Sequence, residues 1–209
     1  MKLDQLSIRD FVRELGSDNP TPGGGSVAAL CGALGAALSA MVSRLTVDRE
    51  KFKETWPSME EVKKTADDLV ARFLDLVQED SDAYQKVTAA FELPKETEEQ
   101  KASRQAAIEE AMKWAATVPL ETLRASERLV GIAREAVRGG NPNAITDAGA
   151  AVQLANTTAV VASYNVRINL SRIKDEAFVA ASEKEVDETL KRLETLFADV
   201  DGNANIYLG

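Results

Sequence analysis

Three acids and a phenol fall within six residues, Glu79-Asp80-Ser81-Asp82-Ala83-Tyr84. On a helix, Asp80 and Tyr84 are i, i+4 neighbours on one face. Two readings fit them: a solvated acidic face, or a carboxylate and a phenol that move protons in a cleft. Aspartate is a poor helix former, which favours the second. The chain has no histidine and one cysteine, Cys31. Histidine-assisted nucleophiles, histidine-ligated zinc and imidazole acid–base chemistry are therefore excluded. So are an intrachain disulfide and a Cys-x-x-Cys site. Proton transfer must use carboxylates, Lys, Tyr or water held by amides, and no metal-ligand set is expected.

Three further places hold polar groups that a helical core does not need. Thr21-Pro22-Gly23-Gly24-Gly25-Ser26 exposes backbone N–H groups just before a helix, which suits an anion or a polar ligand. A tight turn capped by Ser26 accounts for the same residues. No Gly-Lys-Ser/Thr follows and no strand precedes, so this is neither a P-loop nor a dinucleotide fingerprint. The break at Gly139-Gly140-Asn141-Pro142-Asn143 leads to Asp147, near the start of an apolar helix. Asp147 either complements the helix dipole or is a buried acid with a raised pKa. Asn165 and Asn169 share a helix face, and Arg167 points elsewhere. The two asparagines are ligand contacts or interhelix bonds, and Arg167 suits a carboxylate partner.

Asp147 and Asn165 are five helical turns apart, about 27 Å along a straight helix. A small ring cannot touch both. One is structural, or the ligand is long, or two subunits supply different ends of one site.

Helices must position these groups. The chain contains 32 alanines and almost no strand-type alternation. The pattern predicts helices over 3–15, 26–48, 58–91, 96–117, 119–138, 144–173 and 182–199. Ser58 with Glu61, Thr97 with Gln100, and Ser182 with Glu185 mark capped starts; Pro119 opens a new helix. Residues 201–205 look like a loop end. Two helices, 26–48 and 144–173, are rich in small apolar residues. Residues 26 to 43 carry no charge, but so much Ala, Gly and Ser gains little from lipid, so the segment reads as a buried central helix rather than a membrane span. Cys31 within it reads as a small core residue. The expected fold class is all-α: a single-domain helical bundle over residues 1–209 with two buried small-residue helices. Helices apolar on every side need cover on every side, so a homodimer is expected.

The 25 basic and 34 acidic residues leave a net charge of −9, which disfavours nucleic-acid partners. Charges at Asp4, Arg9, Asp10 and Arg13 break any apolar leader. A cytoplasmic protein is expected.

Taken together, Thr21 to Ala29, Asp80 to Tyr84, Leu93-Pro94-Lys95, Val118-Pro119-Leu120, Thr146-Asp147-Ala148-Gly149 and Asn165-Val166-Arg167-Ile168-Asn169-Leu170 resemble the cyclodeaminase/cyclohydrolase family of folate enzymes. The resemblance implies an all-helical dimer acting on one-carbon tetrahydrofolates, with no cofactor beyond that substrate. One implied reaction closes 5-formimidoyltetrahydrofolate to 5,10-methenyltetrahydrofolate and releases ammonia; the other hydrolyses the methenyl compound. A folate-binding protein without turnover is the remaining alternative. On this resemblance Asp147, then Asp82, is the expected carboxylate beside the methenyl cation. Asp80 with Tyr84 would relay a proton or bind the pterin edge. Gly23, Gly24, Gly25 and Ser26 would hold part of the folate, together with Asn141, Asn165 and Asn169. Arg167 or Lys95 would take the glutamate tail.

Overall fold

A computed structural model describes the backbone of residues 2–208 and the side chains of residues 2–197. The elements are α1 (Ile8–Leu15), α2 (Gly24–Arg44), α3 (Trp56–Glu92), α4 (Glu98–Gly139), α5 (Ile145–Leu170) and α6 (Glu176–Leu208), with short 3-10 turns at Leu3–Gln5, Glu50–Thr55 and Pro142–Ala144. The fold is an all-α helical bundle, and the described residues include no strand.

Helix α2 lies at the centre, packed on α3, α4 and α5. It is the one helix among the described residues long and apolar enough to cross a membrane, yet most of it is covered by the other helices. Its small residues make that possible. A β-carbon on Gly32 would fall 2.5 Å from the Phe73 ring, and one on Gly35 would fall 3.2 Å from the Ala151 carbonyl oxygen. Gly24 adjoins Asn165 while Gly35 adjoins Ala151, so α2 and α5 run antiparallel. Phe73, Leu69, Leu76, Leu123 and Leu129 are fully enclosed around them; each such side chain contributes about 1.5–3 kcal/mol of burial.

The helix starts follow local chemistry. Ser7 caps α1 by accepting the Asp10 N–H, and Gly16 ends it. Thr97 and Gln100 form the expected capping box at α4. Four expectations are corrected. Ser58 does not cap α3, which begins two residues earlier, with Pro57 in its first turn. Ser182 is buried inside α6; Asp175 starts that helix by accepting the Phe178 N–H, and Glu185 pairs with Arg124. Helix α6 also runs on through Leu208, so residues 201–205 are helical.

The most informative correction is at Pro119, which stands inside α4 instead of opening a helix. Proline has no N–H, so the carbonyl four residues back loses its helical partner. That carbonyl belongs to Ala115, and it accepts a hydrogen bond of 2.7 Å from Asn169 Nδ2 on α5. A side chain thus replaces the missing helical bond and ties α4 to α5.

Candidate active site

The glycine run, the middle of α3 and the C-terminal end of α5 converge on one cavity of about 250 Å³ that opens to solvent. Helix α2 begins at Gly24, and the Thr21–Pro22 peptide bond leading to it is cis. Amides in the first turn of a helix have no intrahelical acceptor, so the N-terminus of α2 presents N–H groups to the cavity wall.

Asp80 faces that terminus. The approach is so close that a β-carbon on Gly25 would sit 2.0 Å from Asp80 Oδ1. Only glycine leaves room for the carboxyl group there. Ser26 Oγ lies 3.0 Å from Asp80 Oδ2 and 3.0 Å from the Val77 carbonyl oxygen. One hydroxyl proton cannot fully serve both acceptors. The Ser26 hydroxyl therefore divides its proton between Val77 and Asp80, and the carboxyl group is incompletely served by it. Burial pushes the Asp80 carboxyl above the usual carboxylate range, and hydrogen bonds from the Ser26 hydroxyl and amide oppose that only in part. The net direction is upward, because removal from water disfavours the ionised form more than these hydrogen bonds favour it.

One helical turn on, Tyr84 lines the cavity and is 45% exposed, so its phenol is accessible to a ligand. From α5 come Asn165 and Asn169. Asn165 Nδ2 donates to the Val161 carbonyl and Asn169 Nδ2 to that of Ala115, which fixes both amide planes. Arg172, just past the end of α5, completes the rim. It was not among the residues singled out from the sequence. Its signal is the spacing Asn165, Asn169, Arg172, which continues one stripe at helical period.

Six sequence-predicted residues lie outside this cavity: Ser26 is fully buried behind its wall, where it contacts Asp80 rather than a ligand, and five stand elsewhere. Asp82 is turned to the other side of α3 and accepts from Gln78 Nε2 at 2.8 Å; Gln78 in turn accepts the Leu3 N–H. Asp82 therefore fastens the N-terminal segment. Asn141 donates its N–H to Thr46 Oγ1 and its side-chain amide to the Leu45 carbonyl, and accepts the Asn143 N–H. Its groups are spent on the α4–α5 junction. Arg167 pairs with Asp187 of α6 at 2.7 Å. Lys95 is exposed in the α3–α4 connection. Asp147 stands in the first turn of α5, at the opposite end of that helix from Asn165 and Asn169, where it complements the helix dipole.

The family model described as formiminotransferase-cyclodeaminase matches residues 7–188. The chain belongs to this family. It is 38% identical over 202 residues to the methenyltetrahydrofolate cyclohydrolase of Methylorubrum extorquens, covering 96% of this chain and 94% of that one. It is 33% identical to the rat formimidoyltransferase-cyclodeaminase over 97% of this chain but 36% of the rat protein. The formiminotetrahydrofolate cyclodeaminase structure from Thermotoga maritima superposes with a TM-score of 0.90 at 27% identity, covering 100% of both chains. The cyclodeaminase-family fold therefore extends over the whole chain.

Proposed function

We propose that this chain is a folate enzyme that transfers protons at the carbon bridging N5 and N10 of a tetrahydrofolate, with Asp80 as the proton carrier. The observation that carries this reading is the partly buried Asp80 carboxyl group packed against the first turn of α2 and hydrogen-bonded by Ser26 at the cavity wall. A general acid working near neutral pH needs a carboxyl group with a raised pKa.

In the cyclising direction, N10 attacks the formimidoyl carbon of 5-formimidoyltetrahydrofolate, and its proton passes to the imino nitrogen, which becomes an amine on a tetrahedral carbon. The departing nitrogen must gain a proton to leave as ammonia, and protonated Asp80 supplies it. The product is the 5,10-methenyl cation. The carboxylate left behind then offsets its charge within the cavity. In the hydrolytic direction, water adds to the methenyl carbon and ionised Asp80 takes the water's proton. Asp80 then passes that proton to N5 as the carbon–N5 bond breaks, and the hydroxyl loses its own proton to water to give the 10-formyl compound. The same carboxyl group serves both reactions in opposite protonation states. The match along nearly full length to a cyclohydrolase favours hydrolysis as the second reading. Amides at the start of α2 and the side-chain oxygens of Asn165 and Asn169 suit the polar edge of a pterin, and Tyr84 suits the flat benzoyl ring.

We read the working unit as a cytoplasmic homodimer, without nucleic-acid or membrane partners and without a cofactor beyond the folate. Leu34 and Met41 on α2 and Tyr164 and Ile168 on α5 are exposed on otherwise apolar helices, which supports a second copy as their cover.

The test is an ultraviolet assay on purified protein. Methenyl formation with ammonia release from 5-formimidoyltetrahydrofolate identifies a cyclodeaminase. Loss of 5,10-methenyltetrahydrofolate above the spontaneous rate identifies a cyclohydrolase. A folded protein that accelerates neither overturns the enzyme reading.

A further inference from the structure

We propose that Arg172 is the residue that holds the glutamate-tail carboxylate of the substrate and sets which way round the folate enters; this rests on the folate reading above. Among the described residues lining the cavity, Asp80 is the one carboxylate and Arg172 the one cation. Asp80 lies against the α2 N-terminus, and Arg172 stands beyond the C-terminal end of α5. A bridged tetrahydrofolate has the reverse polarity: a cationic carbon at one end and carboxylates at the other. Only one orientation pairs both charges.

The other candidate cations are engaged or distant. Arg167 is held by Asp187 and Lys113 by Asp175 at 2.6 Å, and Lys95 does not reach the cavity. Among the described residues Arg172 has no ion-pair partner, so its planar guanidinium can take a carboxylate through two parallel hydrogen bonds. The turn that carries it is held in place. Its N–H donates to the Asn169 carbonyl. Two residues on, Glu109 Oε1 accepts the N–H groups of Lys174 at 2.9 Å and Asp175 at 3.0 Å. The backbone under Arg172 is therefore fixed before substrate arrives, which lowers the ordering cost of binding.

The experiment compares Arg172→Gln and Arg172→Lys with the unaltered protein on two substrates: 5,10-methenyltetrahydrofolate and the same compound with both glutamate carboxyls converted to amides. The unaltered protein should prefer the free acid through KM. Arg172→Gln should raise KM for the free acid about 10- to 100-fold, leave kcat within about twofold, and leave KM for the diamide unchanged. Arg172→Lys should recover part of the preference. Equal losses on both substrates, or an unchanged KM for the free acid, would overturn the assignment. Failure of the unaltered protein to turn over either compound or its formimidoyl counterpart would instead sink the folate reading. Thermal melting of each variant separates a folding defect from a binding one.

Discussion

Gly25 and Asp80 occupy space that cannot be shared: a β-carbon on Gly25 would fall 2.0 Å from the Asp80 carboxyl oxygen. The first turn of α2 and the middle of α3, more than fifty residues apart in sequence, meet at this contact, and the cavity is built around it.

Gly25→Ala should therefore push Asp80 out of position. The variant should fold, because alanine inside a helix is favourable by about 0.5–1 kcal/mol over glycine. Turnover should fall at least about 100-fold, the scale of loss expected for a misplacement of roughly 1 Å at a reacting group. The readouts are the ultraviolet assay and circular dichroism. Full activity in a folded Gly25→Ala protein would remove the Asp80 contact from the mechanism.

Asp80→Asn should lower kcat by about 10²- to 10⁴-fold, the usual worth of a positioned proton carrier. Its effect on stability should have the opposite sign at neutral pH. Burial raises the Asp80 pKa in the folded chain, so the folded state keeps this proton to higher pH than the unfolded state does. The stabilisation is complete below the unfolded carboxyl pKa and disappears as pH rises through the folded one. Above that point the ionised group is a burden, which asparagine does not carry. The variant should melt higher than the parent at pH 8, with the gap closing as pH falls toward the ordinary carboxylate range. A gap that widens on acidification would contradict the burial argument.

Asn169→Ala should leave the Ala115 carbonyl without a partner, at about 1–3 kcal/mol. Pro119→Ala restores the missing helical N–H, so in a Pro119→Ala background the same Asn169→Ala change should cost under about 1 kcal/mol. A double-mutant cycle by urea denaturation measures the coupling directly. Additive effects would mean that the proline and the asparagine are unrelated.

Arg167→Gln should change kcat and KM by less than about twofold and stability by under about 1 kcal/mol, because its pair with Asp187 is solvent-exposed. Set beside Arg172→Gln, it separates the two arginines: one sets tail affinity, the other ties α5 to α6. A large KM effect at Arg167 would reverse that assignment.

Gly32→Ala tests the core. Its β-carbon would meet the fully buried Phe73 ring at 2.5 Å, an overpacking that typically costs about 1–3 kcal/mol. A lowered melting temperature with unchanged turnover is the expected result. An unchanged melting temperature would show that Phe73 shifts freely.

Local chemistry in the sequence determined much of this protein. Alanine content and the 3.6-residue period set helices, the Thr97–Gln100 box set the start of α4, and the glycine run set the loop ahead of α2. The missing histidines restricted proton chemistry to carboxylates, phenols and water. What the sequence left open was which polar residues meet. Asp80 and Asp82 are two residues apart, and only packing decides that the first faces the α2 terminus while the second holds Gln78. Asp147 and Asn165 share a helix, but one cavity at one end of that helix takes only Asn165. Pro119 carries the local signature of a helix start. It becomes a helix interior because Asn169, fifty residues later, satisfies the carbonyl it orphans. Short-range spacing sets which groups exist and which face of an element they occupy. Only the tertiary structure decides which faces meet, because long-range burial and hydrogen-bond satisfaction are settled between elements rather than within them.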